Sequence, residues 1–174
     1  MGGFSYVTLL CKEKYIRRFI LMEEFDVINR TAIDVRYQET DQMGVVYHAN
    51  YLVWFEIGRT KLIEQLGFTY PELEAEGVLL PVIDTRLTYH QPARYGETVY
   101  VETVIKQYKG VRLTYDYVIK NEKDETLVTG YTEHTFVEKG TFRPIRLRSI
   151  NQKWHNLLKD ATKEGEVGFW DYER

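Results

Sequence analysis

The stretch Tyr37 to Leu66, YQETDQMGVVYHANYLVWFEIGRTKLIEQL, constrains the fold most. It runs from the end of a strand, through a short polar loop, into a long apolar helix. From about His48, apolar and small residues fall at Tyr51, Leu52, Phe55, Gly58, Leu62 and Leu66. That three-or-four spacing predicts a helix with one buried face. Trp54 and Ile57 widen the stripe, so the helix is expected to be covered on most sides. Gly67 follows the last periodic residue and suits the left-handed position that closes a helix.

The flanking chain supplies a surface to cover it. Thr31 to Glu39 alternates, with Ile33, Val35 and Tyr37 on one face, and predicts a half-buried strand. Pro71 to Glu76 predicts a short helical turn ending at Gly77. Val78 to His90 reads as a strand region that Pro81 interrupts. Thr98 to Tyr108 and Val111 to Lys120 alternate again, joined by a tight turn at Lys109-Gly110. Asn121 to Glu125 is a polar turn, and Thr126 to Glu138 completes an antiparallel meander. An α+β architecture follows, in which a curved antiparallel sheet wraps around the long central helix. One such sheet has open edges, so pairing with a second copy is expected.

The ends differ in character. Residues 1–28 read as an N-terminal extension, apolar, then basic, then apolar again. Met22 opens a second plausible start, Met-Glu-Glu-Phe-Asp, and Arg17-Arg18 can be encoded by purine-rich codons resembling a ribosome-binding site. Residues 1–21 are therefore read either as a mis-assigned start or as a genuine arm. Residues 29–148 form the main domain. Residues 149–174 are a C-terminal helix and aromatic tail, with Ser149 as the expected cap and Ile150, Trp154, Leu157, Leu158 and Ala161 as its stripe.

Composition removes several classes. A chain of 174 residues with 44% hydrophobic and 28% charged residues suits one globular domain. Its net charge of −3 argues against a dedicated nucleic-acid surface. The single cysteine, Cys11, cannot form an internal disulfide and lies far from the central stretch. No apolar run approaches a membrane span and no signal peptide is visible, so a cytoplasmic protein is expected.

Two ionisable side chains sit at the mouth of the central helix. Asp41 is in the loop, and His48 follows seven residues later. A helix N-terminus offers unpaired N–H groups and a partial positive charge, which can hold a developing oxyanion. A carboxylate beside it can attack a carbonyl carbon or deprotonate a water that does. The competing reading makes Asp41 a loop cap and His48 a surface histidine. Glu56 and Arg59 lie three apart on the helix, either as an ion pair or with Glu56 as an alternative acid. The remaining histidines, His90, His134 and His155, are scattered without metal-ligand spacing. No metal or cofactor is expected. A Gly-x-Ser-x-Gly elbow and a glycine-rich phosphate loop are both absent.

The run Asp41-Gln-Met-Gly-Val-Val-Tyr-His48-Ala-Asn50-Tyr51, followed by Trp54-Phe-Glu56, resembles the active-site signature of the 4-hydroxybenzoyl-CoA thioesterase family of hotdog proteins. The closest branch is that of the Tol-Pal-associated acyl-CoA thioesterases. The likeness continues through Tyr89-His-Gln-Pro92-Ala93-Arg94-Tyr-Gly-Glu97 to roughly Leu147, about two thirds of the chain. It implies a hotdog fold, an acyl-CoA substrate, active sites at a dimer interface, and a homodimer or homotetramer. It also implies Asp41 as nucleophile or general base, and His48 beside the N–H that polarises the thioester carbonyl. Lys109 matches a basic hairpin position that binds the nucleotide end of CoA, although Gly110 and Val111 replace further basic residues there. Arg143 matches a second phosphate-facing region, and Arg112 joins these cations; for all three, a solvated surface charge is the alternative. Tyr51, Trp54 and Phe55 either line an acyl pocket or pack the core.

The function expected is hydrolysis of an acyl-CoA to a carboxylic acid and CoA. Two rivals share the fold: a non-catalytic acyl-CoA or acyl-carrier-protein binding module, and a thioesterase acting on acyl-carrier protein.

Overall fold

The computed structural model describes residues 28–162 of the chain. Elements follow in the order β1 (Asn29–Asp34), α1 (Asn50–Leu66), α2 (Tyr70–Ala75), β2 (Val78–Leu79), β3 (Val82–Tyr89), β4 (Thr98–Tyr108), β5 (Arg112–Asn121), β6 (Thr126–Thr135), β7 (Val137–Glu138) and α3 (Gln152–Asp160). Five strands form one antiparallel sheet in the order β1-β4-β5-β6-β3, and β2 pairs with β7 apart from it. Register shifts at Val82/Asp84, Ile105/Gln107 and Ile119/Lys120 interrupt the ladders. An irregularity of this kind bends a strand and raises its twist, which curves the sheet.

The alternation in β5 shows why the sheet closes on α1. Leu113, Tyr115, Tyr117 and Ile119 all sit in the core that also holds Tyr51, Trp54, Phe55, Leu62 and Ile63 of α1. Phe55 stacks on Tyr117 with centroids 4.1 Å apart and planes within 6°. Two glycines permit the approach. A Cβ on Gly58 would meet Thr103 Oγ1, and would stand 2.9 Å from Val101; a Cβ on Gly130 would meet the Arg86 carbonyl and stand 2.9 Å from the Phe55 ring. Real side chains do not fit such gaps, so helix and sheet touch through bare backbone at these points.

Three element boundaries differ from expectation. The first strand ends at Asp34 and not at Glu39. Val35 still donates to the Glu97 carbonyl, and then Tyr37–Glu39 closes a 3-10 turn whose first N–H, on Arg36, is held by the Glu39 carboxylate. The central helix starts at Asn50, two residues after His48. Its buried face is Tyr51, Trp54, Phe55, Gly58, Leu62 and Ile63, whereas Leu52 and Val53 are exposed. The helix is thus open on one side of a single chain. At the far end, Asn151 caps α3 by accepting the Trp154 N–H, in place of Ser149. Ser149 instead donates its hydroxyl to the Arg146 carbonyl and closes a 3-10 turn, which leaves Ile150 exposed. Trp154 and Leu158 do bury, and Trp154 stacks on Phe68. Cys11, the two candidate starts and the aromatic tail all lie outside the described residues.

Candidate active site

Between β1 and α1 the chain makes a tight hairpin-like loop. Asp41 N–H donates to the Val45 carbonyl, Thr40 pairs with Val46, and Tyr47 N–H donates to the Glu39 carbonyl. Gly44, at φ +72°, takes the left-handed position at the tip, where other residues are strained. Asp41 Oδ1 accepts the Met43 N–H at 2.8 Å, an Asx turn that fixes the carboxylate on the loop. Only one of its oxygens is engaged this way, and the side chain is half-buried. The capping role considered for Asp41 is thus real, and it leaves the second oxygen available.

Three outside contacts pin this loop. Val46 N–H donates to the Ala93 carbonyl, Arg94 Nη1 reaches the Gly44 carbonyl at 3.3 Å, and the Tyr89 hydroxyl donates to the His48 carbonyl at 3.1 Å. Tyr89, Ala93 and Arg94 belong to the second sequence stretch that carried the family resemblance. The structure brings the two stretches together.

The chain then enters α1 through Asn50, whose N–H bonds to the Tyr47 carbonyl. The cap position, Ala49, has no side-chain acceptor. Among the described residues, nothing accepts the backbone N–H of His48 or Ala49. These donors stand at the positive end of a 17-residue helix, in the loop that carries Asp41. The His48 imidazole is exposed and leans on the Tyr47 ring, with centroids 4.3 Å apart. It makes no hydrogen bond to Asp41. Within one chain, the pair therefore offers a carboxylate and free backbone donors, and not a hydrogen-bonded Asp–His couple.

The other predicted residues divide. Tyr51, Trp54 and Phe55 are buried, and each is tied into packing. The Tyr51 hydroxyl accepts the Ala93 N–H at 3.0 Å, while Tyr51 packs edge-on against Trp54 and Tyr89. Burial pushes the Tyr51 phenol up, and the Ala93 hydrogen bond partly offsets this. Glu56 is exposed and pairs with Arg59 at 3.4 Å, the structural role weighed for it. Arg59 also lies over the Tyr70 ring. His134 is enclosed: Nε2 meets Thr132 Oγ1 at 2.8 Å and Nδ1 faces the Leu80 carbonyl. Burial, with Arg59 nearby, holds it neutral down to about 4. His155 bonds the Tyr108 hydroxyl, and His90 bonds Thr129. Among the described residues, no group of three or more His, Cys, Asp and Glu is placed to hold a metal.

Lys109 is exposed at the β4–β5 hairpin, where Gly110 takes φ +76°. Arg112 is exposed too, but its charge is engaged by Glu133 at 2.9 Å. The Leu147 N–H donates to the Gly110 carbonyl, and so lays Leu147 and its immediate neighbours beside that hairpin. Arg143, exposed, lies instead beside β7, where its carbonyl accepts the Glu138 N–H. Arg146 and Arg148, which flank Leu147 and are both exposed, come to the hairpin and are missed by the sequence reading. Their charges are ordinary along the sequence; only the contact at Gly110 places them near Lys109.

Glu39 was also missed. Its side chain is only 4% exposed and accepts from the Arg36 N–H, the Arg36 guanidinium at 2.9 Å and Trp54 Nε1 at 3.1 Å. Burial pushes this carboxyl up, but the hydrogen bonds from Arg36 and Trp54 outweigh it and hold the group below the ordinary carboxylate range. No local pattern marked Glu39, because its partner Trp54 lies 15 residues away.

This fold and this loop define a class, and comparison with known proteins agrees. The thioesterase-like superfamily model matches residues 35–155, and the chain belongs to that superfamily, with its hotdog fold. It is 46% identical over 136 residues to the putative acyl-CoA thioesterase YneP of Bacillus subtilis, covering 78% of this chain and 99% of the relative. It is 33% identical over 98 residues to the acyl-CoA thioester hydrolase YbgC of Escherichia coli, covering 56% and 73% respectively. A DHNA-CoA thioesterase structure from Staphylococcus aureus superimposes with a TM-score of 0.75 at 41% identity, covering 77% of this chain and 90% of that one.

Proposed function

We propose that this protein hydrolyses acyl-CoA thioesters to a carboxylic acid and CoA, with Asp41 as the reacting carboxylate. The observation that carries the reading is the Asp41 loop beside the unaccepted N–H groups of His48 and Ala49 at the start of α1. A thioester oxygen at those donors would gain negative charge as its carbonyl carbon is attacked, and the helix end stabilises that charge. Asp41 either attacks the carbon itself, giving a mixed anhydride that water cleaves, or takes a proton from the attacking water. In both routes the carbon–sulfur bond breaks and CoA leaves as thiolate, which then takes up a proton. His48, exposed and unbonded, orients the bound thioester or carries that proton.

Two supports favour catalysis over mere binding. The Asp41 carboxylate has an oxygen to spare, and the 46% identical relative is a putative acyl-CoA thioesterase. The Asp41-to-His48 motif and the 33% identity to YbgC favour placement in the Tol-Pal-associated branch. A cytoplasmic setting is part of the same reading. No helix of the described residues is long and apolar enough to cross a membrane.

The active form in this reading is a homodimer or a homotetramer. Among the described residues β3 is one edge of the large sheet, and Val82 and Ile83 on it are exposed, as are Leu52 and Val53 on α1. An edge strand with apolar side chains favours pairing with a second copy. Assay with short, long and aromatic acyl-CoAs, following released thiol, tests the function. Turnover of at least one panel member is expected. Binding without thiol release across the panel would move the reading to a binding module; turnover only of acyl-carrier-protein thioesters would move it to the third alternative.

A further inference from the structure

We propose that Glu39 and Asn50 are positioning residues that set the Asp41 loop against the start of α1; the proposal rests on the catalytic reading of Asp41. The geometry converges on one residue. The Glu39 carbonyl accepts both the Tyr47 N–H at 2.9 Å and the Asn50 side-chain amide at 2.7 Å. The Glu39 carboxylate meanwhile holds Trp54 on α1 and Arg36 at the start of the turn. Strand end, returning arm and the first two turns of the helix are thereby fastened at a single point. Asp41 leaves that point two residues along one arm, and His48 leaves it one residue along the other.

Each of these links is to a group that a looser loop would not need. Burying a carboxylate is costly unless it is paired and hydrogen-bonded. Three donors meet Glu39, and one of them, Trp54 Nε1, comes from the helix. Asn50 occupies the first position of α1, from which its side-chain amide reaches back to the Glu39 carbonyl. Releasing either link lets the Asp41 arm shift relative to the His48 and Ala49 donors. A displacement of about 1 Å in a reacting geometry can lower turnover on the order of a hundredfold.

The test is kinetic. Asn50→Ala removes the amide and keeps a helix-compatible residue. The expected result is a loss in kcat on the order of ten- to a hundredfold, KM within about twofold, and an unfolding midpoint close to that of the parent. Glu39→Gln should behave in the same sense. Should it fail to fold, Asn50→Ala decides alone. In the Asp41→Asn background, Asn50→Ala should add little further loss, because residues acting through one group are not additive. A folded Asn50→Ala protein with unchanged kcat, with a rise in KM alone, or with a full additional loss in the Asp41→Asn background overturns the proposal. The catalytic reading fails separately, if Asp41→Asn by itself keeps normal turnover.

Discussion

Among single residues, His134 has a consequence that no site chemistry is needed to see. It is fully buried on β6, hydrogen-bonded to Thr132, which also meets the Tyr117 hydroxyl, and packed edge-on against Tyr115, whose hydroxyl meets that of Tyr70. Its folded pKa is lowered from 6.5 to about 4, first by burial and then by Arg59. The unfolded chain therefore binds a proton between those values that the folded chain refuses. The contribution is fully present above about 6.5 and is lost as pH falls towards 4, on the order of 3 kcal/mol in all. Urea unfolding between pH 7 and 4 should show that slope, and His134→Gln should flatten it. An equal slope in the variant would contradict the account. Glu39 titrates lower, since its partners hold its carboxyl down, so its loss belongs to more acidic solutions. In the sequence His134 is an ordinary strand histidine, without metal-ligand spacing to the others. What the sequence could not supply was its surroundings: the Leu80 carbonyl just after β2, Tyr115 on β5 and Arg59 on α1.

For whole elements, the alternating strands were legible because each has one face on α1. The pattern in β5 is read directly as Leu113, Tyr115, Tyr117 and Ile119 in the core. Boundaries were less legible where a non-local bond decides them. The strand ends at Asp34 because Glu39 folds back onto Arg36, and α3 begins late because Asn151, not Ser149, caps it. Gly58 was seen as part of the helix stripe, yet only the sheet explains why it is glycine. Gly58→Ala should lower stability by about 1–3 kcal/mol, the scale of forced overpacking, since the new methyl meets Thr103 and Val101. A chemical unfolding curve unchanged from the parent would show that the gap is wider than described. The hairpin at Gly110 and the turn around Leu147 form a second pairing of elements, joined through the Leu147 N–H. Replacing Lys109 and Arg143 with Ala should raise KM and leave kcat nearly intact, because phosphate contacts bind ground and transition states alike. The effect should shrink with a pantetheine thioester that lacks the nucleotide; equal losses on both substrates would make these residues structural.

At the scale of the molecule, the account joins one helix, one curved sheet and one loop. Among the described residues the sheet leaves the outer edge of β3 unpaired, and α1 keeps Leu52 and Val53 uncovered. Sedimentation at micromolar concentration should find a dimer or tetramer, and an active monomer would contradict this part. The half of the site that was legible, Asp41 and the helix start, lies in one continuous stretch. The half that was not, Glu39 as anchor and Arg146 and Arg148 beside the hairpin, depends on chain segments meeting in space. Everything in the catalytic reading passes through Asp41, so Asp41→Asn is the decisive variant. It keeps size and the Asx-turn acceptor for the Met43 N–H, and removes the charge and the basicity. Its kcat on the best acyl-CoA should fall at least roughly a hundredfold, with folding and substrate binding retained. A well-folded Asp41→Asn protein turning over near the parent rate would contradict the mechanism and bring Glu56 forward as the acid.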